Sequence, residues 1–132
     1  MERGVMRNKN LTINNYNQLQ YGKITATDID GFMEFQNRIF VIMEGKKIGI
    51  QLPQGQLWAI ENLTDSIQLP KKAIAIIFEN TSFLGDEVNV AYCKVRDLRF
   101  QKKWYKEKTR NVKQVVDDFL KKYAPDLYNK YL

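Results

Sequence analysis

Along the chain, apolar residues recur with two different periods, and the switch between them marks the elements. DGFMEF (30–35) and RIFVIMEGK (38–46) are rich in β-branched and aromatic residues, which predicts a strand hairpin turning near Gln36 to Arg38. In QGQLWAIENLTDSIQ, Leu57, Ile60, Leu63 and Ile67 fall at helical spacing just after Pro53 and Gly55. That spacing predicts a one-sided helix of about 12 to 14 residues. KKAIAIIFEN is a short continuous apolar run, as a strand covered on both faces requires, and is assigned to the centre of a sheet. EVNVAYCKVRDLRF reads as a further strand with an irregular exit into a basic stretch. Asn111 is placed to cap a last helix whose stripe is Val112, Val115, Val116, Phe119, Leu120 and Tyr123, and Pro125 interrupts it. The opening NKNLTINNYNQLQYGKITAT, rich in Asn, Gln and Thr, carries the weakest pattern, and a short helix near Ile13 to Leu19 is the one element expected there. The expected fold is α/β (α+β): one domain over residues 1–132, with a mixed central sheet of about four to five strands flanked by helices.

Side chains alternate across a strand, so Phe40, Ile42, Glu44 and Lys46 share one face. A carboxylate and an ammonium beyond two apolar residues are costly to bury unless each finds a partner. A salt bridge between them is the plain explanation. The preceding strand changes the picture, because Asp28, Asp30, Phe32 and Glu34 alternate there as well. Pairing the two strands brings Asp30, Glu44 and Lys46 to one place.

Composition narrows the chemistry available there. With 132 residues and 44% hydrophobic content, the chain has enough apolar surface for one folded core. It contains no histidine and one cysteine, Cys93, so neither a Ser-His-Asp or Cys-His triad nor a usual zinc site can be built. Cys93, within the apolar VNVAYCKV, reads as a buried small hydrophobe. Acid–base and metal chemistry must come from carboxylates, lysine or tyrosine, which favours hard, oxygen-seeking cations. No apolar run is long enough to span a bilayer and the start lacks the apolar segment of a signal peptide, so a cytosolic location without membrane contact is expected.

Charge is unevenly placed. Between Lys94 and Lys113 nine basic residues face two acids, Asp97 and Glu107, a local excess of +7 in a chain whose net charge is +6. Trp104 and Tyr105 lie inside this window. Lysine and arginine interleaved with aromatics suit a phosphate backbone, and Lys94, Arg96, Arg99, Lys102, Lys103 and Lys106 are the candidate nucleic-acid contacts. A solvated basic surface is the bland alternative.

Asp30 followed by Glu44-Gly45-Lys46 resembles the signature of the PD-(D/E)xK nuclease superfamily, an Asp opening one strand of a hairpin and Glu-x-Lys on the next. TDIDGFMEF and RIFVIMEGK are similar to small phage- and prophage-type members, and the resemblance spans roughly residues 24 to 80. It implies a restriction-endonuclease-like core and metal-dependent hydrolysis of DNA phosphodiester bonds, on linear, branched or single-stranded substrates. It also implies that Asp30 and Glu44 hold Mg2+ or Mn2+ with the Gly45 carbonyl as a further ligand, and that the cation offsets charge developing at phosphorus. Lys46 would orient or deprotonate the attacking water. Gln56 would orient a substrate phosphate or a water, with a solvated or capping amide as the simple alternative. Asp28 would be a supporting acid at the metal site, ranked after Asp30, with a turn residue as the simple alternative. A domain this small has little surface to enclose a duplex, which points to a homodimer or larger complex.

The sequence departs from the family pattern at three points. Many members add a Glu from a preceding helix, whereas the only acid upstream of Asp28 is Glu2; no Pro precedes Asp30; and Gly45 stands where an apolar residue is usual. Two alternatives therefore stay open: a nuclease-fold module that binds nucleic acid without cutting, and an unrelated protein-interaction domain.

Overall fold

The computed structural model describes residue 16, residues 18–80 and residues 87–131. Its centre is a five-stranded mixed sheet in the order β1-β2-β3-β4-β5, formed by Gly31–Phe35, Ile39–Lys47, Lys72–Asn80, Lys94–Phe100 and Lys103–Lys106. Only β2 and β3 run parallel, because the 13-residue helix α1 (Gln54–Ser66) carries the chain back between them. The other neighbours are antiparallel.

Helices cover both faces, which explains the continuous apolar run of β3. On one face α1 lies over Ile42, Ala75 and Ile77 through Ile60. On the other, α2 (Val112–Tyr123) and α3 (Pro125–Lys130) bury Ile39, Val41, Met43, Ile74, Ile76 and Phe78. Six side chains of α2 pack on this face, Val112, Val115, Val116, Phe119 and Leu120 fully and Tyr123 partly. Fully burying a side chain of this size is worth roughly 1.5–3 kcal/mol. Asn111 caps α2 in a reciprocal box with Gln114, and Pro125 opens α3.

Several expectations need revision. The stripe expected along α1 is rotated: Ile60 and Thr64 are buried, Leu63 is exposed, and Ile67 lies just past the helix end. Thr64 is accommodated because its hydroxyl donates to the Ile60 carbonyl at 2.7 Å. The strand read over EVNVAYCKVRDLRF begins only at Lys94. Before it, Val90–Tyr92 form a 3-10 turn that Asn89 starts by accepting from the Ala91 amide. Its exit is no irregular segment but the hairpin β4–β5, turned at Gln101 and Lys102, both left-handed with φ of 51° and 65°. Gln36 and Asn37 turn β1 into β2 in the same conformation, where the hairpin was expected. Cys93 is only partly buried and packs at the rim of the larger core. Burial pushes its thiol up. Of the helix expected near Ile13 to Leu19, most lies outside the described residues.

Candidate active site

Register places the two acids opposite each other. Gly31 pairs with Met43, so the next position outward on each strand brings Asp30 against Glu44. The Gly45 amide donates to Asp30 Oδ2 at 2.7 Å, and the Asp30 amide lies 3.4 Å from Glu44 Oε2. In an extended strand one residue turns its N–H and C=O toward the same neighbour. The Gly45 carbonyl therefore opens to the side on which Asp30 sits.

Glu44 lies at the end of the apolar row that α1 covers and is 3% exposed. Gln56, in the first turn of α1, donates to Glu44 Oε1 at 2.9 Å, and Lys46 Nζ stands 3.9 Å from the same oxygen. Burial, then the Asp30 carboxylate facing it, pushes the Glu44 carboxyl up to about 7, against a smaller opposing pull from the Asp30 amide and Lys46. The pull of Lys46 does not outweigh burial and the facing acid. Asp28 reaches it only through its backbone carbonyl, 3.5 Å from the Gln56 amide nitrogen. Glu34 serves the β1–β2 turn by accepting from the Asn37 amide.

The structure also accounts for the glycine inside Glu-x-Lys. A Cβ on Gly45 would sit 2.5 Å from Phe78 Cε2 and 2.6 Å from Cζ. The Phe78 ring occupies the space that a side chain would take, so an apolar residue there would have to displace the ring.

A divalent cation suits this donor set. Asp30, Glu44 and the Gly45 carbonyl offer oxygens only, and the Glu44 carboxyl, raised first by burial and then by the facing Asp30 carboxylate, is one that a bound cation would draw back to its charged form. Among the described residues, no group of three or more His, Cys, Asp or Glu gathers here or elsewhere. Glu2 lies outside the described residues.

The basic window does not form one patch, because the β4–β5 hairpin folds it in two. Lys94 pairs with Glu79, which pairs with Lys46, so Lys94, Arg96 and Lys106 lie toward the Asp30–Glu44 end of the sheet. Lys102 and Lys103 lie at the opposite end. Arg99 turns under α1, where Asp65 accepts from its Nε and Nη2 at 2.9 and 2.6 Å and Glu61 stands 3.5 Å from its Nη1. Arg96 donates to the Ile50 carbonyl and pairs with Asp97, which also holds Lys106 at 2.8 Å. Both arginines are therefore committed to structure; Lys94, Lys102 and Lys103 make no ion pair among the described residues. Trp104 donates to Glu61 at 2.6 Å and lies under Arg99, which ties it to the same network. No helix among the described residues is long and apolar enough to cross a membrane.

No family model, curated protein or solved structure matches this chain.

Proposed function

We propose that the chain is a metal-dependent nuclease with a restriction-endonuclease-like core, hydrolysing DNA phosphodiester bonds at Asp30, Glu44 and Lys46. The observation that carries this reading is the facing of Asp30 and Glu44 across two strands, with Lys46 and Gln56 converging on the same Glu44 oxygen. A hairpin, a crossover helix and a parallel third strand around that site support the core assignment.

Each residue has a role that its surroundings permit. Asp30 and Glu44, with the Gly45 carbonyl, would hold Mg2+ or Mn2+, which when bound neutralises charge at the phosphate under attack. The Gly45 amide fixes the Asp30 carboxylate, and the Gln56 amide fixes that of Glu44, so both are preorganised. Lys46, partly exposed beside Glu44, is placed to orient a water and move its proton.

The test is cleavage of linear, nicked, branched and single-stranded DNA with Mg2+ or Mn2+. Products that vanish with chelator and in Lys46→Ala are expected; a wild-type protein that cuts none of these substrates would sink the reading. Among the described residues no third acid joins Asp30 and Glu44, which favours one alternative, a nuclease-fold module that binds without cutting. Calorimetric titration with Mn2+ separates the two, since that module would release no heat of cation binding that Glu44→Gln removes.

A further inference from the structure

On the face that carries Glu44, α1 packs chiefly over β3 and β4, which among the described residues leaves an opening toward β1. Two aromatic rings occupy the opening. Phe32, two residues beyond Asp30 on the same face, is 54% exposed, and Phe40, four residues before Glu44, is partly exposed. The rings are stacked, with centroids 6.2 Å apart and planes inclined by 26°. Lys71 extends the row, its Nζ 6.0 Å from the centre of the Phe40 ring and donating to Asn37 Oδ1 at 2.8 Å. The same lysine lines a hollow of about 490 Å³ together with Lys72, Gln101 and Lys102.

We propose that this strip binds single-stranded nucleic acid, unpaired bases stacking on Phe32 and Phe40 while Lys71 and Lys102 take the phosphates leading away from Asp30 and Glu44. The inference rests on the nuclease reading only for where the scissile phosphate lies. Charge and shape favour this occupant: an ammonium stands at each end, Lys46 and Lys71, with aromatic faces between them, and the Glu34 carboxylate opposite Phe40 accepts from the Asn37 amide. Bases stack on aromatic rings whatever their sequence, but only when they are free of a duplex. From Lys46 to the level of Lys72 the strand advances seven residues, about 23 Å at a rise of roughly 3.3 Å. At about 3.4 Å per stacked base that length takes about seven nucleotides. The arrangement also gives Lys102 a role at the end of the sheet far from the acids.

The experiment uses the full chain carrying Asp30→Asn, so that substrate is not consumed, and a fluorescent single strand of about twelve nucleotides against a duplex of equal length. Twelve nucleotides exceed the strip at about 3.4 Å per base. Anisotropy is expected to show tighter binding of the single strand. Phe32→Ala should weaken that binding about 5- to 150-fold, as the loss of one stacked base does. Phe32→Tyr should keep it, and Lys71→Gln should lower the salt slope by about 0.7. Phe32 is exposed, so an unchanged melting temperature separates lost binding from lost folding. Equal affinity for duplex and single strand, single-strand binding unaffected by Phe32→Ala, or binding that ignores salt as a protein ligand's contact would, each overturns the proposal. Binding needs neither cation nor cleavage, so the two readings fail separately. Cutting that survives Phe32→Ala with unchanged binding removes only the strip. Ring-dependent binding by a wild-type chain that never cuts removes only the nuclease.

Discussion

Two glutamates, one buried and one largely so, have opposite fates in this molecule. The Glu44 side chain is 4% exposed and that of Glu107 is 11% exposed. Burial works to raise Glu107 too, yet Arg110 and the backbone amides of Thr109 and Arg110 hold its carboxyl down at about 2. Arg110 clasps it at 2.7 and 2.6 Å while also reaching Asp118, and three successive amides point at its other oxygen. Glu44 receives one neutral side-chain amide, one long backbone contact and a lysine 3.9 Å away, with a second carboxylate facing it. The fold supplies a cation to one carboxylate and withholds a sufficient one from the other. An under-compensated buried acid is costly, and such groups concentrate where something is bound.

The sharpest way to break this comparison is to neutralise each acid by an isosteric change. If Glu44 holds a cation for catalysis, Glu44→Gln should lower the cleavage rate by about a thousandfold or more, given what metal and acid–base groups contribute. Glu107→Gln should leave the rate per folded molecule unchanged. Rates of both variants under saturating Mn2+ decide the matter; a Glu44→Gln protein that cuts normally would remove Glu44 from the chemistry.

Stability should separate the pair by sign. The Glu44 carboxyl titrates near 7 when folded and near 4.5 otherwise, so the folded chain holds the extra proton between these values. Cation-free wild type should therefore lose stability as pH rises from about 4.5 through 7. Glu44→Gln should escape that loss and be more stable at pH 8 by on the order of 3 kcal/mol, an advantage that vanishes at pH 4. For Glu107 the folded value is about 2, so its contribution is present above about 4.5 and lost as pH falls through 2. Glu107→Gln should then cost on the order of 3 kcal/mol at pH 7, a cost that shrinks as pH falls toward 2 and vanishes below it. Urea titrations across pH measure both, and Mn2+ at pH 8 should erase the advantage of Glu44→Gln.

Next in size is Gly45, whose missing side chain makes room for the Phe78 ring. Gly45→Ala should cost about 1–3 kcal/mol, because that ring must move. Pairing the change with Phe78→Leu should recover part of the loss in the same urea titration, whereas no coupling between them would mean that the ring is not what demands the glycine.

How far the sequence reveals this arrangement depends on whether a feature follows from local period. The Asp30–Glu44 pairing was legible, because alternation fixes which residues share a face and a short hairpin fixes the register. The cap at Asn111 and the stripe of α2 were legible for the same reason. What was not legible depends on remote partners. Gly45 looks like a weak point in a strand until Phe78, from β3, is seen beside it. The turn at Gln101 and Lys102 lacks the Gly or Asn that usually announces a left-handed hairpin, so β5 stayed hidden and the basic window looked continuous. The acids that neutralise Arg99 lie on α1, more than thirty positions upstream.

That last point yields the smallest effect and extends the comparison to cations, which also divide into those already matched and those left open. Arg99 is matched by Asp65 and Glu61, whereas Lys102 is exposed with no ion pair among the described residues. Arg99→Gln should cost about 1–3 kcal/mol, because it strands two partly buried carboxylates, and leave the salt dependence of nucleic-acid binding unchanged. Lys102→Gln should alter stability by less than about 0.5 kcal/mol, as open surface positions do. It should lower the slope of log affinity against log salt by about 0.7 for a single strand, the release expected from one phosphate contact. If the arginine variant instead flattened the salt slope while the lysine variant did not, the residue inside the fold would be the one that meets phosphate, and matched cations could no longer be taken as structural.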